Sequence, residues 1–457
     1  MQEYTTRLGD APLGRLLVKL SLPGIAATIS TSLYNIVDTI WVARLGFEAI
    51  AALTIVFPYQ ILYWAIGGGT GTGIAALVSR RFGEKNPEAT NHAAGQIFFL
   101  SAFWGLLFIL LAVFFADNIL PVLGATPDIM EFSRQYFVIT AYGAPLAIFA
   151  IIVASLMRGS GDTVKPMVIM ISSTLINVVL DPLMILGIGP FPEMGVAGAA
   201  WATVIAQGFG AGFGLFLLLA GKTAYRVKLA YLWPDWPILK DIYRVGLPSV
   251  VTQLVESLAF IIFNKIVSSF GSLIIAVVGI VIRISDFAFM PVMGVSNGLL
   301  PIIGYNFGAK NYKRVWQAVK LASVSIALLL AVITLLMVIF APQIVDIFSD
   351  NPELTAQTIP AFRIMLSSMM LVGPTIMFVT AFQGLSQGMK SLFLSLLRQF
   401  IIFIPIMLLF RYFWGLMGVW VSAPICDILS FALVYGFIYK EYKKHHGGPD
   451  DKPEKAW

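Results

Sequence analysis

Twelve stretches of this chain are long, apolar and almost free of charge, and a water-soluble fold has no place to hide them all. They lie near 16–43, 50–78, 93–115, 135–158, 166–188, 196–220, 243–268, 273–303, 317–341, 359–383, 391–413 and 416–440. A helix needs about 20 predominantly apolar residues to cross a hydrocarbon core roughly 30 Å thick. Each stretch meets that length, and those beyond 25 residues predict tilted or extended helices. The composition agrees. Hydrophobic residues make up 58% of the 457 and charged residues only 12%, against about 45–50% and about 25% in soluble domains. A soluble enzyme, a disordered chain and a secreted disulfide scaffold are thereby excluded, the last also because Cys426 is the single cysteine. The prediction is an all-α integral membrane protein of twelve transmembrane helices, with the lipid bilayer as its main partner. The first apolar stretch is too long for a cleavable signal peptide and reads as an uncleaved first helix.

The basic residues set the orientation. With the N-terminus inside, 23 of the 30 lysines and arginines fall in inside segments, among them Arg80, Arg81, Arg158, Lys165, Lys222, Arg226, Lys228, Lys310, Lys313 and Arg314. The opposite loops carry acids instead, such as Asp117, Asp128, Asp346 and Glu353. By the positive-inside rule both termini are cytoplasmic and the protein sits in the cell's inner (cytoplasmic) membrane. The net charge of +6 is therefore a topology signal, and no nucleic-acid partner is expected.

The chain also repeats itself. Leu22-Pro23 recurs as Leu247-Pro248, an offset of 248 − 23 = 225. The same offset pairs Gly46 with Gly271, Gly73 with Gly298, Phe82-Gly83 with Phe307-Gly308, Lys85-Asn86 with Lys310-Asn311, and Gly159 with Gly384. The expected organisation is an N-terminal six-helix lobe over 1–221 and a cytoplasmic linker over 222–242. A C-terminal six-helix lobe over 243–440 and a cytoplasmic tail over 441–457 complete it. An even number of spans per copy makes the two bundles parallel, related by a pseudo-twofold axis along the membrane normal. Two such halves rocking about a shared site is a transporter's arrangement.

Ionisable groups inside the spans are costly and stand out: Asp38, Asp181, Glu256, Lys265, Arg283, Asp286, Arg398 and Asp427. In the first span Thr31, Tyr34, Asn35 and Asp38 fall at i, i+3, i+4 and i+7, one polar stripe that must face the bundle interior or a water-filled cavity. In the fifth span Asn177 and Asp181 are i, i+4, with Pro182 freeing the carbonyl of Val178. Two carboxylates with amide and hydroxyl neighbours suit Na⁺ or shared protons; the bland alternative is polar residues pinning helix packing. The second copy has Phe263 where the first has Asp38. In the seventh span Ser249, Thr252, Gln253 and Glu256 form a second stripe. Glu256 sits about 10 Å nearer the cytoplasm than Asp38, placed to receive a cationic substrate or to pair with Gln253 or Lys265. Arg283 and Asp286, i and i+3, read as a local ion pair, and Lys265 and Arg398 as snorkelling or paired across helices. Cys426 reads as packing. His92, His445 and His446 all fall in cytoplasmic segments, so no metal or catalytic histidine lies in the membrane. The glycine run Gly67–Gly73 lacks the ending of a phosphate loop and reads as close helix packing or a flexible point.

These residues resemble the multidrug and toxic compound extrusion (MATE) family over essentially all of 10–440. The resemblance is carried by Leu22-Pro23, Tyr34-Asn35-Ile36-Val37-Asp38-Thr39, Arg158-Gly159-Ser160-Gly161-Asp162-Thr163, Asn177…Asp181-Pro182, Gly195-Val196-Ala197-Gly198 and Asn306-Phe307-Gly308-Ala309-Lys310-Asn311. It looks closest to the prokaryotic DinF-like branch. That resemblance implies a MATE fold and a cation-coupling site of Asp38, Asn177 and Asp181, joined by Thr203 and Tyr136. It implies bending of the first helix at Pro23. If Na⁺ is the coupling ion, Asp38, Asn177, Asp181 and Thr203 would hold it. Glu256 departs from the branch, since a seventh-helix glutamate is more typical of NorM-like and eukaryotic members; with Gln253, Tyr34 and Asn35 it forms the expected substrate or second carboxylate site. The expected function is secondary active export of small organic, cationic or amphipathic compounds, coupled to H⁺ or Na⁺, by a monomer without a cofactor or catalytic residues. A lipid or lipid-linked-sugar flippase of the same superfamily is the alternative, and a membrane-embedded enzyme a remote one.

Overall fold

A computed structural model describes residues 7–348 and 351–446; the side chains of Tyr34, Asn35, Ile36, Thr39, Ala43, Phe47 and His446 lie outside that description. Nine long helices follow one another: α1 (Leu13–Ala43), α2 (Phe47–Gly83), α3 (Pro87–Leu123), α4 (Met130–Gly159), α5 (Val164–Leu186), α6 (Gly195–Leu219), α7 (Trp236–Ser268), α8 (Ser272–Gly308) and α9 (Tyr312–Ile339). Then come α10 (Pro352–Leu366) and α11 (Met369–Gly384), bent by 45° where they meet, which together make one span. Next are α12 (Gly388–Leu396), a π-helical turn (Leu397–Phe403) and α13 (Ile404–His446). This last run is long enough for two crossings, and Gly415, at φ 57° and ψ −132°, divides it. Nine helices, one bent pair and one divided run make the twelve spans the hydropathy predicts. Several are longer than a bilayer needs: 37 residues in α2, α3 and α8 rise about 55 Å.

The repeat has a backbone explanation. Gly46 and Gly271 precede α2 and α8 at φ 113° and 104°, a region closed to side chains. Lys85 and Lys310 share the left-handed region at φ 56° and 58°. The asparagine after each caps the next helix: Asn86 Oδ1 accepts from the Ala89 amide at 3.0 Å, and Asn311 Oδ1 from that of Arg314 at 3.2 Å. The Phe-Gly-x-Lys-Asn signature is thus a helix stop followed by a helix start, used twice.

Glycines also let the two halves meet. A methyl on Gly69 would strike Val250 and the carbonyl of Gly246; a methyl on Gly294 would strike Ile25 and the carbonyl of Ser21. These contacts map onto each other by the same offset of 225. So do Gly83 against the Tyr305 carbonyl and Gly308 against the Arg80 carbonyl. At these glycines the seam obeys the pseudo-twofold contact by contact. Charges and hydrogen bonds reinforce it. Asp241 takes Arg80 at 3.4 Å and Arg81 at 3.2 Å, and Arg80 donates to Ser386 at 3.2 Å. The Leu8 carbonyl accepts from Asn306 at 3.1 Å and from Arg314 at 3.3 Å. His445 packs on Tyr312 and Phe307. The two ends of the described chain thus share this closed face. Beyond it the facing helices leave Glu256, Lys265, Arg283 and Asp286 exposed.

Candidate functional site

The first-half helices bring Asp38 and Asp181 together. α1 runs unbroken through Pro23 and carries Asp38 half-buried on the side facing α5. α5 carries Asn177 and Asp181 on one face, 2% and 0% exposed, as their i, i+4 spacing requires. The carboxyl groups of Asp38 and Asp181 are within hydrogen-bonding reach of each other. Asn177 Nδ2 donates to Asp181 Oδ1 at 3.2 Å and to Thr203 Oγ1 on α6 at 3.4 Å. Three oxygens at this spot, Asp38 Oδ1, Asp181 Oδ2 and Asn177 Oδ1, are buried without a hydrogen-bond donor. Two carboxyl groups this close repel unless a proton or a cation sits between them, and buried polar atoms are seldom left unpaired. The oxygen set therefore fits a proton or a hard cation such as Na⁺, with no nitrogen or sulfur ligand offered. Tyr136 on α4 is buried in the same half, 4% exposed. The side chains of Tyr34 and Asn35 lie outside the described residues.

A cavity of about 240 Å³ opens beside this cluster, lined by Thr31, Trp64, Arg158, Ser173, Asn177, Thr203 and Gln207 among others. Ser173 and Gln207 went unremarked in the sequence. Their signal was present: Ser173 precedes Asn177 by four and Gln207 follows Thr203 by four, which extends both polar faces by a turn. Arg158, read from the sequence only as a topology residue, has a further place in the structure. It lines this cavity and also a second one of about 180 Å³ between the halves, with Gly68, Thr72, Gln253 and Asn297. Its guanidinium donates to Ser155 at 2.6 Å.

The second half holds a different arrangement. Arg398, in the π-helical turn, binds Asp427 Oδ1 on α13 at 3.0 and 3.3 Å, and Ser368 donates to Asp427 Oδ2 at 2.7 Å. The cross-helix pairing expected of Arg398 is thus made with Asp427. Glu256 on α7 is exposed, within the electrostatic reach of Arg398. Gln253 turns away from it to the Ala65 and Ser249 carbonyls, each at 3.4 Å. One expectation is corrected. Arg283 and Asp286 form no ion pair among the described residues, because i, i+3 spacing puts two groups on one face without aiming them at each other. Lys265 likewise has no carboxylate partner there. Cys426 is buried, its thiol donating to the Arg398 carbonyl at 3.4 Å. Among the described residues no group of three His, Cys, Asp or Glu side chains is placed to hold a metal ion.

Comparison with known proteins agrees with this architecture. The MatE family model matches residues 23–183 and again 248–409, a separation of 248 − 23 = 225. A FAD transporter from Shewanella oneidensis is 28% identical over 437 residues, covering 93% of this chain and 94% of that protein. The multidrug export protein MepA of Staphylococcus haemolyticus is 24% identical over 431 residues, covering 93% and 94%. A solved outward-facing structure of a multidrug resistance MATE family transporter of the MOP superfamily superposes with a TM-score of 0.89. It is 27% identical and covers 97% of this chain and 99% of its own.

Proposed function

The chain belongs to the MatE family of multidrug transporters, and from that premise we propose that it is a secondary active exporter driven by an inward H⁺ or Na⁺ gradient. The observation that carries the reading is the pairing of Asp38 with Asp181, which together with Asn177 leave three buried oxygens without a donor. In this reading the closed face, rich in Arg80, Arg81 and Arg314, is cytoplasmic, and the cleft opens outward. A cation entering from outside binds between Asp38 and Asp181, with Asn177 and Thr203 completing its shell if it is Na⁺ and Tyr136 beside it. Neutralising the pair removes their repulsion and lets α1 and α5 draw together around the first-half cavity, with Pro23 as the point where α1 yields. Substrate is thereby expelled to the outside. Glu256, exposed toward the cleft, receives the cationic part of the substrate.

The test uses purified protein in vesicles with H⁺ and Na⁺ gradients imposed separately, reading efflux of a cationic dye. Asp38→Asn and Asp181→Asn should each abolish gradient-driven efflux while the proteins elute and melt like the parent. Full efflux by Asp38→Asn would sink the coupling assignment. Which gradient drives the parent identifies the ion.

A further inference from the structure

Arg283 is an exposed arginine deep in the membrane with no ion-pair partner among the described residues, a placement that is costly unless the group is used. Its direction follows from its own helix. Gly294 and Gly298 press α8 against α1, and Asn297 on the neighbouring face lines the small cavity shared with Gly68 of α2. These three residues mark the arc of α8 that looks at the first half. Arg283 lies eleven positions before Gly294, about three full turns, and so falls within that arc. The residues that α8 buries in the second half's own core, among them Val277, Val281, Ile284 and Ala288, lie about 100–160° around the helix from Arg283. Arg283 therefore projects into the cleft between the halves.

Its depth follows from the seam. Ile25 meets Gly294 and Val250 meets Gly69 at the level where the halves touch. Glu256 is six residues beyond Val250, about 9 Å above that floor, and Arg283 eleven residues beyond Gly294, about 16 Å above it. Arg398 is bonded to Asp427, and Glu256, exposed, forms no ion pair among the described residues, so its carboxyl can accept from the cleft. The cleft thus presents an acid low and a base roughly 7 Å higher on helices α7 and α8.

We propose that Arg283 is a specificity-determining residue that binds an anionic group, a carboxylate or phosphate, of an amphipathic substrate whose cationic end is held by Glu256. The inference rests on the exporter reading for its biological meaning, but its test reads binding directly.

Two dyes of one ring system separate the charges: rhodamine 110, with a free carboxylate near neutral pH, and rhodamine 123, its methyl ester. Fluorescence anisotropy would measure the affinity of each for purified full-length protein. Arg283→Gln should weaken rhodamine 110 by about tenfold or more, the worth of a charge-assisted hydrogen bond, and leave rhodamine 123 unchanged. Arg283→Lys should retain most of the affinity for rhodamine 110, and Glu256→Gln should weaken both dyes. Equal loss of both dyes in Arg283→Gln, or loss of neither, overturns the inference. Efflux of both dyes from vesicles, run alongside, separates the two readings: binding selectivity without efflux faults the exporter reading alone.

Discussion

At the scale of single residues, Asp38 and Asp181 show how much a side chain's neighbours decide. Each alone is a polar misfit in an apolar helix; facing each other they become a site that asks for a positive charge. The i, i+4 spacing of Asn177 and Asp181 was readable in the chain, as was the stripe ending at Asp38. Their meeting across two helices was not, because spacing fixes a face and never a partner. The same limit explains why Arg283 and Asp286 looked like a pair and are not one. Past the end of the last apolar stretch, Glu441 illustrates a titration with a defined sign. Burial pushes its carboxyl up, but hydrogen bonds from Gln387 at 2.8 Å and Lys390 at 2.7 Å outweigh this and hold it below its ordinary value of 4.5. A group depressed in the folded state stabilises the fold above its unfolded value, and that contribution disappears as pH falls through the folded one. The detergent-solubilised parent should therefore lose melting temperature below about pH 4.5 more steeply than Glu441→Gln. Parallel curves for the two proteins would remove Glu441 from the account.

At the scale of elements, the turn between α2 and α3 and its copy between α8 and α9 give a sharper lesson. The pairing of Lys85-Asn86 with Lys310-Asn311 was visible as a repeat, while its physical reason was not, since lysine is not a residue that announces a left-handed conformation. The backbone shows lysine in a position that costs a residue with a side chain roughly 1 kcal/mol or more. Lys310→Gly should consequently raise thermal stability by up to about 1 kcal/mol, the unfolded chain's extra freedom offsetting part of the gain. Asn311→Ala should lower it by about 1 kcal/mol through loss of the cap. Thermal unfolding of the two variants checks both signs. The spans themselves were legible because lipid enforces one simple rule along the whole helix, but their ends were missed by up to eight residues, as where 93–115 became Pro87–Leu123, because the helices run on past the apolar stretch. The bend between α10 and α11 and the π-helical turn around Arg398 were not, because each depends on what the helix packs against.

At the scale of the whole molecule, the seam of glycines is both the closure of one face and the obstacle to opening it. Ser79 and Gly304 touch across it, and Cys426 is the single native cysteine. In a Cys426→Ser background, Ser79→Cys with Gly304→Cys should cross-link on oxidation, stop transport, and recover with a reductant. Unimpaired efflux from the oxidised protein would mean that this face need not open. The contacts of Gly69 and Gly83 recur at Gly294 and Gly308 by the offset of 225, but the ion pairs are not doubled: Arg80 corresponds to Tyr305 and Asp241 to Leu16. A surface in which residue i meets j′ and j meets i′ is the signature of an isologous homodimer. The seam is thus a dimer interface written into one polypeptide. Because the two copies are covalently linked they need not carry the same residues, and the charges can stand on one side of the axis alone.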